Sequence, residues 1–209
     1  MLFRSTLRAA PGMPATIATM GLLNLAFFGV DAFVPLALVD VRGTTVAFAG
    51  LALTAATVTW TAGAWIQART ATRVPRRAMT WLGLVFLATS FVITAAVLFP
   101  QTPLPAALFG WGLAGLGMGL AYTTLGLSML ELAEPGQEGD ASASLQLASV
   151  LGSGLGAGIG GALIALMHAQ GETLTRALLL QDGLMLLVVA LGLSVARGLP
   201  GRLRLAADR

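Results

Sequence analysis

Asp31 is the residue of this chain whose chemistry most needs a reason. It stands in FFGVDAFVPLAL, residues 27–38, inside an apolar run over residues 15–38 that holds no other charge. By the three-and-four rule of a helix it shares a face with Asn24, Phe27, Phe28 and Pro35. An ionised Asp at the centre of a membrane helix costs about 2.5–3.5 kcal/mol on insertion scales, so such residues usually face a bundle interior or a water-filled cavity. Two readings stand. In one, Asp31 is a structural group bonded to a neighbour or near enough to the outer surface to find water. In the other, it exchanges a proton with a cavity that alternates between wet and dry, because burial disfavours the ionised form.

Asp182 is the secondary carboxylate candidate. Glu172 and Arg176 precede it at i and i+4 and can pair with each other, which leaves Asp182 without a local partner. It is either a functional carboxylate or a marker of the outer interface. Ser142, Gln146, Ser149 and Ser153 follow spacings of four, three and four and draw a polar line along one helix. That line either glues helices together or lines a water-filled pathway. Tyr122, Thr123 and Thr124 stand at cavity or packing positions.

Other chemistry is excluded by what the chain lacks. With a single His, a serine protease dyad would need Ser153 and His168, which lie about 22 Å apart along one helix axis at ~1.5 Å per residue. GAGIGG, residues 156–161, has the spacing of a dinucleotide fingerprint but sits inside an apolar helix, not after a strand. There is no phosphate loop of the GxxxxGK[ST] kind and no cluster of metal ligands, so no catalytic residue, metal or cofactor is expected. The absence of Cys removes disulfides and thiolate sites.

The elements that must position these residues are membrane helices. The 209 residues are 56% hydrophobic and 10% charged, against roughly 25% charged in a soluble domain. Apolar runs over 15–38, 46–67, 78–99, 105–130, 142–167 and 174–196 are each long enough to cross a bilayer, which takes about 20 residues. Backbone groups in hydrocarbon must be satisfied internally, and the runs lack period-two alternation, so they are helices. The expected fold is an all-α membrane protein with the lipid bilayer as its first partner.

The fifth run carries two stripes of small residues at four-residue steps, Gly152, Gly156 and Gly160 on one side and Gly154, Gly158 and Ala162 roughly opposite. Small-xxx-small stripes let helix backbones approach closely in lipid, so this helix expects two close neighbours. Trp65 and Trp81 flank an arginine-rich loop and fit an interfacial aromatic belt.

All twelve basic residues are Arg. With both termini cytoplasmic, the inner side holds Arg4, Arg8, Arg69, Arg73, Arg76, Arg77, Arg197, Arg202, Arg204 and Arg209, and only Arg42 and Arg176 lie outside. This positive-inside bias accounts for the high pI and leaves nothing for nucleic-acid binding.

The opening APGMPATIATMGLLNLAFFGVDAFVPLALVDVRG, the GAWIQARTATRVPRR loop, GWGLAGLGMGLAYTTLG and DASASLQLASVLGSGLGAGIGGALIAL together resemble the C-terminal six-helix half of a major facilitator superfamily transporter, of the drug:proton antiporter kind. In the loop, Gly63, Arg76 and Arg77 match the family motif, while Gln67 stands where the family has an acid. The resemblance implies two inverted three-helix repeats, residues 15–99 and 100–196, between a cytoplasmic linker at 1–14 and a basic cytoplasmic tail at 197–209. It implies an integral plasma-membrane protein performing proton-coupled efflux of a small-molecule substrate. Asp31 would couple the proton, Asn24, Phe28, Tyr122, Thr123, Gln146 and Ser149 would line the substrate cavity, and Gly152, Gly156 and Gly160 would pack helices. In the family the second helix of each repeat meets the opposite half, and the sixth helix lies at the periphery. The chain is therefore expected as a truncated or split half that pairs with an N-terminal six-helix half or with a second copy of itself. The rival expectation is a six-helix scaffold or partner subunit that transports nothing.

Overall fold

The computed structural model describes residues 11–201; Arg4, Arg8, Arg202, Arg204 and Arg209 lie outside the described residues. Within them the chain is all-helical, with six helices long and apolar enough to cross a membrane. Helix α1 is Met13–Asp31, followed by a short helical piece at Val34–Leu36 and a π-helical turn at Ala37–Val41. Then come α2 (Val46–Thr70), α3 (Arg76–Val97), α4 (Pro105–Leu132), α5 (Glu138–Ala169) and α6 (Leu174–Val195).

Local chemistry sets the ends. Pro105 opens α4, where its missing N–H costs nothing. The side chains of Thr45 and Thr173 accept the backbone N–H of Phe48 and Arg176 and cap α2 and α6. Gly43, at φ 65°, makes the turn between α1 and α2.

Packing follows the small residues. In lipid, close backbone approach and dispersion replace the hydrophobic effect as the force between helices. A Cβ on Gly152 or Gly156 would collide with the carbonyl oxygen of Gly21 or Leu25, so that stripe of α5 lies directly on α1. Gly115 and Gly119 of α4 press in the same way on the backbone of α2 at Ala56 and Trp60. Gly83 of α3 and Gly117 of α4 meet so closely that a Cβ on either would come 2.5 Å from the other's carbonyl oxygen.

The result is reciprocal. Helix α1 packs chiefly on α5 and α6, α4 packs chiefly on α2 and α3, and α1 meets α4 while α3 meets α6. Helices α2 and α5 stay at the margins: only 22% and 17% of their most apolar stretches are buried, against 61% for α4. The second stripe of α5 has no neighbour among the described residues. Gly154 and Gly158 have open space around them.

Polar ties close the two ends. The Gly12 N–H donates to the Gly198 carbonyl at 3.1 Å, which places the start of α1 beside the end of α6. At the other end Arg42 donates to the carbonyls of Val97, Phe99 and Thr102, binding the α1–α2 turn to the α3–α4 turn.

Candidate functional site

Asp31 is the last residue of α1, and the sequence after it explains why. Pro35 has no N–H to offer the Asp31 carbonyl, so the i to i−4 ladder of α1 cannot run on through Asp31. The chain answers with a tight turn in which the Phe33 N–H donates to the Val30 carbonyl at 2.9 Å, then resumes helix at Val34. The carboxylate thus sits at a break, partly exposed, with no cation in ion-pair reach among the described residues.

Its partner comes from α4. Trp111 donates its indole N–H to Asp31 Oδ1 at 3.1 Å. The Trp111 side chain is 1% exposed and held between two parallel rings, Phe27 at 5.4 Å and Phe91 at 6.4 Å between centroids, each inclined by 18°. Phe27 meets Phe28 and Trp60 edge-on at 5.1 and 5.6 Å, and Trp60 lies 5.8 Å from Tyr122. An aromatic wall drawn from α1, α2, α3 and α4 therefore runs away from the carboxylate. Phe27, Phe91 and Trp111 form its buried layer, while Phe28, Trp60 and Tyr122 are partly exposed.

The polar residues singled out by spacing divide into two groups. Asn24 is 1% exposed within the α1–α5 contact, where its amide donates to the Met20 carbonyl at 2.9 Å and its Oδ1 accepts from Ser149 at 3.1 Å. Ser153 donates to the Ser149 carbonyl. Asn24 and Ser149 thus satisfy each other between helices, where both are buried. Gln146 and Ser142 face outward from α5. Thr123 is partly exposed and donates to the Gly119 carbonyl.

Asp182 departs from the surface position allowed for it. Although Arg176 and Glu172 pair at 2.7 Å, the carboxylate two turns further on is 3% exposed, walled in by α1 and α3. It makes no hydrogen bond or ion pair with any described residue.

In the arginine loop, Gln67 is buried with its amide nitrogen unpartnered. Arg76 instead grips Glu131 at the end of α4 with two hydrogen bonds of 3.2 and 2.7 Å and caps the Ala71 carbonyl. The Arg69 guanidinium lies 4.0 Å above the Trp65 ring, which is 56% exposed, as an interfacial pair would be. Among the described residues no three His, Asp or Glu side chains gather where they could hold a metal ion.

Trp111, Trp60 and Gln181 are the residues that spacing did not single out. The signal for Trp111 was present: a buried indole needs an acceptor, and Asp31 is the one carboxylate in the first helix.

No family model matches the chain, and no curated protein matches it. Among solved structures the chain is similar to a POT family transporter crystallised in complex with 5-aminolevulinic acid, at a TM-score of 0.63 and 16% identity. The likeness covers 91% of this chain and 40% of that one, so the chain spans well under half the length of the transporter. At that identity the likeness concerns fold: the six helices around Asp31 and Trp111 are arranged as helices of a membrane transporter are.

Proposed function

We propose that this chain is one half of a secondary transporter of the major facilitator type, exporting small molecules in exchange for protons and working with a second six-helix unit. The observation that carries the reading is Asp31: a carboxylate at a broken helix, half open, backed by one indole N–H and an aromatic wall. A carboxylate so placed can take a proton when water reaches it and lose it when the surroundings change, because its two protonation states differ in how well the site accommodates them. Phe28, Trp60 and Tyr122 would supply the apolar surface for a substrate, with Thr123 and Gln146 as polar contacts.

The missing unit is supported by the two marginal helices. A membrane helix with polar Thr54, Thr57 and Thr61 exposed, as α2 has, or with an unused glycine stripe, as α5 has, suits a partner better than lipid. An N-terminal half or a second copy would cover both. The reciprocal packing of α1 with α5 and α6, and of α4 with α2 and α3, favours two inverted repeats over residues 15–99 and 100–196. Arg69, Arg73, Arg77 and Arg197 favour a cytoplasmic position in the plasma membrane for the end that carries Gly12 and Gly198.

The test is transport by the chain reconstituted with a matching six-helix half. Asp31→Asn should keep assembly and substrate binding while abolishing proton-driven movement of substrate against its own gradient. Uphill transport at the normal rate in that variant would overturn the reading.

A further inference from the structure

Behind the break in α1 lies a second polar place that the transport reading does not use. A partly open cavity of about 10 Å³, the space one water molecule needs, is lined by Val30, Phe33, Val34 and Ala37 from α1 and the segment after its break, Thr94 from α3, and Leu178, Gln181 and Asp182 from α6. Gln181 is wholly buried and Asp182 nearly so.

Each of the three polar side chains on this wall has an oxygen to which no described residue donates. The Gln181 amide nitrogen donates to the Gly29 carbonyl, which fixes the orientation of the amide, since the flipped form would set two oxygens against each other. Its Oε1 is then left buried with no donor. The Thr94 hydroxyl spends its one proton on the Ser90 carbonyl at 3.0 Å and keeps only lone pairs. The Asp182 carboxylate is met by no donor and no cation among the described residues. Buried oxygens without partners are costly, and a buried carboxylate without one more so. An occupant that suits three kinds of oxygen at once is a hard cation. The single carboxylate balances a single charge, and the size admits a small ion.

We propose that Thr94, Gln181 and Asp182 form a site for a monovalent cation, sodium by size, seated against the break in α1. The site ties α3 and α6 to the segment that follows Asp31, so its occupancy stabilises the bent form of α1. The inference does not rest on transport, because binding to the chain alone suffices to test it.

The experiment follows thermal unfolding of the full chain in detergent as sodium chloride replaces choline chloride at constant ionic strength. Sodium should raise the unfolding temperature along a saturating curve, and potassium should do so less. Asp182→Asn should lose the sodium response, and Thr94→Val should move half-saturation several-fold higher with its choline baseline little changed. Asp31→Asn should respond to sodium as the unaltered chain does, which separates this site from the proton site. A response equal in sodium and choline, or one that survives in both Asp182→Asn and Thr94→Val, would overturn the proposal. Should Asp182→Asn fail to fold, the Thr94→Val titration decides between the same two outcomes.

Discussion

Trp111 and Asp31, 80 residues apart in sequence, are joined by a 3.1 Å hydrogen bond at the point where α1 breaks. The bond couples a carboxylate to a ring that can move only if Phe27 and Phe91 move with it. A change of charge at Asp31 is thereby felt across the contact of α1 with α4.

Trp111→Phe should keep an aromatic ring between Phe27 and Phe91 while removing the indole N–H, and it leaves a small void whose cost adds to that of the lost bond. A hydrogen bond between membrane helices contributes about 0.6 to 2 kcal/mol, so the variant should fold with a stability loss of at least that order. Proton-driven transport by the assembled protein should slow more than substrate binding weakens. Equal loss of both would make Trp111 a packing residue.

Cysteine scanning is clean here because the chain has no native Cys. Arg73→Cys and Gln101→Cys, at opposite ends of α3 and both exposed, should react with an impermeant thiol reagent from the cytoplasmic side only and from the outer side only. Reversed labelling would invert the topology.

Gly156→Leu should damage the fold of the chain, because a Cβ there would already strike the Leu25 carbonyl. Overpacking of this kind costs about 1–3 kcal/mol or more. Gly126→Leu, with nothing within 4 Å, should be tolerated. Unfolding in detergent, followed by circular dichroism, ranks the two.

Gly158→Leu probes the stripe on the far side of α5. With open space around it, the substitution should leave the stability of the single chain unchanged and weaken its association with a second unit. Sedimentation in detergent reads both, and unchanged association would place the partner elsewhere.

Arg42→Leu should loosen the outer end. Three carbonyls near the end of α3 lose a charged donor, and a hydrogen bond to a charged group contributes about 1.5–3 kcal/mol. Faster amide exchange at Phe99 and Thr102 is the expected sign.

The helices were legible because apolar length alone places them: five of the six runs became single helices with ends shifted by a few residues, and the first became a helix broken after Asp31. The stripe of Gly152, Gly156 and Gly160 was legible for the same reason, since spacing fixes which residues share a side. What spacing cannot give is which neighbour a side meets. It grouped Asn24 with Asp31, yet Asn24 turned into α5 and found Ser149. It treated Asp182 as a surface or functional carboxylate according to its distance along α6, and only the packing of α1 and α3 shows how deeply it is buried. The contact of Glu131 with Arg76 depends on α3 lying beside α4, which spacing along the chain does not show.

The contact of α1 with α5 also has a consequence for biogenesis. Asn24 waits for Ser149, 125 residues later in the chain, and Gly21 and Leu25 wait for the same helix. A nascent chain that has released its first three helices holds α1 in the bilayer with its grooved side uncovered and Asp31 without its indole. Until α4 and α5 emerge, that helix depends on the insertion machinery or on other helices to shield it.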